Sequence, residues 1–141
     1  MDVYKSNNKL LIDSFNNKPV LVIDCANMMN PHSFYPALEF EDFASIMVLE
    51  AELLYYFQQI IDSLELYINN YGIKTVAIPM KRLFNYDNDE ENKKIYSKII
   101  KKLNSLNVKV MVHWSLLDEV YKKQELAINN GPYSNKSKKD Y

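Results

Sequence analysis

The stretch Val20-Leu21-Val22-Ile23-Asp24-Cys25-Ala26-Asn27 decides how this chain folds. Four consecutive apolar residues follow Pro19 and stop at an aspartate, and an asparagine stands three positions later. An uninterrupted apolar run of this length, bounded by a proline and by polar residues, reads as a strand buried on both faces of a parallel sheet, here over 19–24. Open α/β sheets place their sites at the carboxyl ends of such strands. Asp24 therefore has two readings. It is a strand-end carboxylate that holds a divalent cation while Asn27 orients water or substrate, or it is an Asx-type cap that ties down the turn through backbone N–H groups.

Working outward, strands and helices alternate. Residues 6–16 read as a short helix with Ser6 as N-cap and with Leu11 and Phe15 one turn apart. A polar turn holding Pro31 and Pro36 leads to a helix over about 38–44, and residues 45–49 read as a short strand or as the run-in to the next helix. Along 51–69, Leu53, Phe57, Ile60, Ile61, Leu64 and Ile68 recur at helical spacing, with Gly72 where a helix stop belongs. A strand over 75–78 ends at Pro79, which has no N–H for the ladder. The acidic turn 87–91 suits the positive end of a helix running to about Leu106, with Ile95, Ile99 and Leu103 inward. Residues 108–114 read as the last strand and 116–128 as a terminal helix. The polar, Lys- and Ser-rich stretch 129–141 reads as a disordered tail, so residues 1–128 form one domain. This alternation implies right-handed crossovers and an α/β three-layer sandwich around a mainly parallel sheet of about four strands.

Composition narrows the function. The 141 residues are 48% apolar and 25% charged with a net charge of −1, which argues against coating nucleic acid by charge alone. A single cysteine, Cys25, rules out a disulfide framework and a cysteine metal cluster, and Cys25 itself reads as a small buried hydrophobe. His32 and His113 lack metal-ligand spacing. Only two glycines occur, neither in a phosphate loop or a dinucleotide fingerprint, so no nucleotide or other cofactor is expected. No apolar run approaches a membrane span and the first residues lack a signal-peptide pattern, which makes the cytoplasm the default location and a membrane partner unexpected.

Several residues are candidates for contact with a partner or with nucleic acid. Lys81 and Arg82, the latter the only arginine, follow the 75–78 strand and could meet a phosphate or a carboxylate, or could be ordinary loop charges. Lys94, Lys98 and Lys101 lie on one helix, where they form a phosphate-binding face or a solvated one. Tyr55 and Tyr56 are adjacent on the long helix, so one of them must face away from the core and offer a partner surface or a snorkelling ring. For a catalytic Mg²⁺ site Asp24 would need further acids, and the 75–78 strand ends in Pro79-Met80-Lys81 without one.

Taken in order, Ile23-Asp24-Cys25-Ala26-Asn27 with Pro31, the run from Ile46 through Asn69, the strand 75–78, Leu83-Phe84 and the acidic stretch 87–91 resemble the RecA-like ATPase core, especially archaeal RadA-like recombinase paralogues. The resemblance covers roughly residues 9–114. It lacks that family's first strand, its phosphate loop, its cation-binding aspartate and the strands beyond residue 114. A RecA-like core so reduced implies a catalytically inert assembly or accessory subunit, with a protein partner or a homo-oligomer, and with DNA in recombination or repair as a further contact. The same losses place the 108–113 strand at a sheet edge, to be covered by residues 116–128 or by another chain. A second resemblance is to NYN and PIN-like ribonucleases, which also open on a strand ending in Asp with Asn three residues on. It implies Mg²⁺-dependent phosphodiester hydrolysis with Asp24 and Asn27 catalytic, and with Asp87 and Asp89 joining Asp24 as metal ligands. A plain dimerisation module using the Tyr-rich helix is the third reading.

Overall fold

In the computed structural model the described residues are 1–29, 44–81, 83 and 85–120. Five parallel strands make one sheet: β1 (Asp2–Tyr4), β2 (Val20–Asp24), β3 (Ile46–Glu50), β4 (Thr75–Ile78) and β5 (Lys109–His113). Their order across the sheet is β1-β5-β4-β2-β3, and every pair is parallel. The helices are α1 (Asn7–Ser14), α2 (Leu54–Asp62), α3 (Leu64–Tyr71) and α4 (Asp89–Asn104), with residues 115–120 helical at the end of the described chain.

Side-chain alternation along the strands explains why helices cover both faces. Leu21, Ile23, Val76, Ile78, Val110 and Val112 point into a core closed by Leu54, Phe57 and Ile61 of α2 and by Ile95, Ile99 and Leu103 of α4. Val20, Val22, Ala77 and Met111 point the other way and meet Leu10, Leu11 and Phe15 around α1. Central strands buried on both sides are the parallel-sheet signature carried by the opening sequence. Caps follow the chemistry expected of them. The Ser6 hydroxyl accepts from the Lys9 N–H at 3.2 Å, and Gly72 closes α3 in the left-handed region at φ 61°. Helix α4 carries Asp89, Glu90 and Glu91 in its first turn and Lys101 and Lys102 in its last, each matched to the local end of the dipole.

The structure corrects the sequence reading in three places. The sheet has five strands, because Asp2–Tyr4 pairs with Met111–His113. The 108–113 strand is consequently interior, covered by the chain's own first residues. The expected helix over 51–69 is two helices broken at Ser63, whose φ of −98° and ψ of 6° leave the helical range. The apolar seam nonetheless runs through Leu54, Phe57, Ile61 and Leu64, all buried, while Leu53 turns outward as the residue before α2. Of the two readings for residues 45–49, the strand holds. The helix expected over 38–44 falls outside the described residues apart from Ala44, as do Arg82, His32, residues 121–128 and the 129–141 tail.

Candidate functional site

The sheet order defines where a site should lie. From β2 the chain passes to β3 on one side and then crosses to β4 on the other, so the topological switch point is at the carboxyl ends of β2 and β4. Asp24 ends β2 there and is 1% exposed. Its Oδ1 accepts hydrogen bonds from the N–H groups of Ala26 (3.1 Å) and Met28 (3.1 Å). Its Oδ2 accepts from Met28 (2.9 Å) and Met29 (2.8 Å). Such convergence requires a tight reversal, and Asn27 supplies it at φ 53°, in the left-handed region that asparagine tolerates better than most residues. Three N–H groups thus engage the carboxylate, with the Met28 N–H shared between its two oxygens. Of the two roles open to Asp24, the turn cap is the one its geometry fills.

Backbone pairing continues past the strand ends. The Cys25 N–H donates to the Pro79 carbonyl at 3.1 Å, and the Lys81 N–H donates to the Cys25 carbonyl at 3.2 Å. Asn7, first residue of α1, locks the same corner by donating from Nδ2 to the Met80 carbonyl and accepting the Met80 N–H at Oδ1, both at 3.0 Å. Main-chain hydrogen bonds thus carry the pairing of β2 and β4 beyond the ends of the two strands. Cys25 is buried beside Asp24, and burial first, then the neighbouring charge, pushes its thiol well above the usual range, away from thiolate chemistry.

The acids expected to gather with Asp24 do not. Asp87 is exposed in the loop before α4 and Asp89 stands in the first turn of α4. Among the described residues no three His, Cys, Asp or Glu side chains form a metal-holding group. One acid that the sequence reading passed over does stand next to Asp24. Glu50 ends β3 in register with it, and the Ala51 N–H donates to the Asp24 carbonyl at 3.1 Å. The signal was there to find, since Glu50 closes the apolar run Ile46–Leu49 much as Asp24 closes Val20–Ile23.

The contact candidates are spread over two helices and a loop. Lys81 is exposed after β4. Lys94, Lys98 and Lys101 are exposed on α4, while Lys102 is drawn to Glu65 of α3 at 2.7 Å. Both Tyr55 and Tyr56 face outward, each 50% exposed, because Leu54 and Phe57 take the inward positions of α2. Their ring centroids lie 5.7 Å apart at 60°, and the Tyr55 hydroxyl accepts from Gln59 Nε2 at 2.9 Å.

Two buried polar groups secure the loops at this end of the sheet. Asn92 accepts the Tyr86 N–H at 2.9 Å and donates to the Tyr86 carbonyl at 2.7 Å, while the Tyr96 hydroxyl donates to Asn85 at 2.7 Å. His113 ends β5 with Nε2 3.1 Å from the Lys5 carbonyl, which can only accept. The proton is therefore assigned to Nε2, and Nδ1 accepts from the Ser115 hydroxyl at 2.7 Å and from the Ser115 N–H at 3.3 Å. Burial lowers the His113 pKa against the raising effect of the Lys5 carbonyl.

Together these features define an open, parallel, doubly wound α/β domain with a buried, turn-capping aspartate at its switch point. Comparison with protein-family models, with curated proteins and with solved structures finds no match.

Proposed function

We propose that this chain is a catalytically inert α/β domain, RecA-like and without a phosphate loop, that acts as an assembly or accessory subunit through protein contacts in DNA recombination or repair. The observation that carries the inert half of this reading is the Asp24 carboxylate, buried and engaged by three backbone N–H groups. A magnesium site asks a carboxylate to give lone pairs to a cation and usually adds a second acid or a phosphate. Asp24 directs its lone pairs into its own turn. The RecA-like ancestry is supported by the order of motifs from Ile23 to the acidic stretch 87–91, and the contact role by the outward tyrosines of α2. The test is a nuclease assay on RNA and DNA with Mg²⁺ or Mn²⁺, comparing the protein with Asp24→Asn. No cleavage by either is expected; metal-dependent cleavage that disappears in the variant would overturn the proposal.

One observation favours a second reading. Glu50, in register with Asp24, supplies the strand-end acid that an NYN or PIN-like ribonuclease would need. In that reading Asp24 and Glu50 share a Mg²⁺ ion, and Glu50→Gln would abolish cleavage together with Asp24→Asn.

A further inference from the structure

Strand β3 ends the sheet, and among the described residues nothing pairs with its outer edge. Parity along the strand fixes what that edge presents. The Ala51 N–H donates to Asp24 of β2, so Met47 and Leu49, on the same alternation, also turn their backbone groups toward β2. The N–H and C=O groups of Ile46, Val48 and Glu50 therefore point outward. Sheet edges are ordinarily blunted by brevity, lysine, proline or a bulge. At the far edge, β1 is three residues long and opens on Asp2. β3 is five residues in unbroken register with β2, four of them apolar and with Glu50 only at the end. Val48, at its centre, is 37% exposed.

We propose that β3 pairs with β3 of a second copy of this chain, antiparallel about a two-fold axis at Val48, joining two five-stranded sheets into one. The assignment rests on the reading of the chain as a protein-contact domain and names the contact. The outward set is symmetric about Val48, and this selects the occupant. A two-fold axis there sets Val48 against Val48 and Ile46 against Glu50 of the other copy. Each opposed pair then exchanges both of its N–H···O bonds, so every outward group is satisfied. The same register keeps the two Glu50 side chains at opposite ends of the ladder, where like charges do not meet face to face.

So short a ladder alone falls short of the surface that a stable dimer buries, and the helical layer supplies more. Tyr56 and Tyr67 line a hollow beside the end of β3, while Tyr71 lines another, of about 410 Å³, at its start with Pro19, Ile46 and Met47. Tyr56 and Tyr71 are 50% and 56% exposed. Antiparallel pairing brings the end of one β3 to the start of the other, so Tyr56 and Tyr67 of each copy approach Tyr71 of its mate. An unrelated strand would satisfy the same backbone groups, but only a copy of this chain brings the tyrosines that answer its own.

Sedimentation equilibrium of the full chain over a concentration series tests this, with the mass expected to level at twice that of the monomer. Val48→Lys sets two ammonium groups against each other at the axis, and Val48→Pro removes an N–H that β2 does not use. Each should raise the dimer dissociation constant about tenfold or more, with the far-ultraviolet circular dichroism unchanged. Opposed residues of such a pair have Cα atoms about 5.5 Å apart, within disulfide range. Oxidised Val48→Cys should therefore crosslink as a dimer, whereas Ile12→Cys, at a 50% exposed position on α1, should not. A monomeric full chain, a dissociation constant unmoved by Val48→Lys, or equal crosslinking of the two cysteine variants would overturn the assignment. A mass that climbs past the dimer would overturn it too, showing open stacking of edges instead of a closed pair. A monomer overturns the second copy alone, because the inert reading stands or falls on the nuclease assay.

Discussion

Asp24 shows how one side chain can hold the strand-end position of an active site and still serve the fold. Truncating it would leave the N–H groups of Ala26, Met28 and Met29 without their acceptor in a part-buried turn. At about 1–3 kcal/mol for each orphaned buried group, partly relieved by water, Asp24→Ala should cost about 3–5 kcal/mol. Asp24→Asn turns one acceptor oxygen into a donor facing N–H groups and should cost about 2–3 kcal/mol. Urea denaturation reads both values, and a variant as stable as the parent would contradict the cap. His113 gives a pH dependence of known sign. Its folded pKa lies below the ordinary 6.5, so the unfolded chain binds the proton more readily. The contribution of this residue is whole above pH 6.5 and is lost as pH falls below it, toward the lowered folded value. In His113→Gln the difference in urea midpoint between the two sides of pH 6.5 should shrink.

Among the elements, α4 and the loop before it depend on a single amide. Asn92 is 2% exposed and satisfies both the N–H and the carbonyl of Tyr86. Asn92→Leu removes those partners and should cost about 2–4 kcal/mol, with hydrogen exchange accelerating first at Tyr86. The close of α3 is a backbone matter. A Cβ at Gly72 would meet nothing within 4 Å, so Gly72→Ala should cost only the left-handed strain, about 1 kcal/mol, read as a small drop in melting temperature.

The elements also show what a sequence can and cannot disclose. β2 and α4 were legible because their apolar spacing exceeds one turn or one pleat repeat and their ends carry caps. β1 was not. Asp2-Val3-Tyr4 is three residues long, and the reason it is a strand lies in the exposed flank of β5 rather than in its own pattern. The break at Ser63 was hidden because the buried seam through Leu54, Phe57, Ile61 and Leu64 continues across it unchanged. Asp24 was legible as a pair of alternatives only. Choosing between them required the number of N–H groups it receives, which depends on the turn that Asn27 makes at φ 53°.

For the molecule as a whole, Asp2–Tyr4 pairs with β5, and this replaces the expectation that residues 116–128 or another chain cover that strand. Removing residues 1–4 should expose the β5 edge and promote association or aggregation, seen as a scattering mass that rises with protein concentration more than that of the full chain. Among the described residues no helix is long and apolar enough to cross a membrane. At the switch point the β2 and β4 ends are joined by backbone hydrogen bonds and the strand-end aspartate is engaged by its own turn. A resident cation would stabilise the folded state by mass action, whereas a turn cap is indifferent to metal. Thermal unfolding of the protein and of Asp24→Asn, each with and without Mg²⁺ or Mn²⁺, separates the two directly. The account predicts a clear loss of melting temperature in the variant and no metal-dependent rise in either protein; a metal-dependent rise in the parent that vanishes in Asp24→Asn would contradict it.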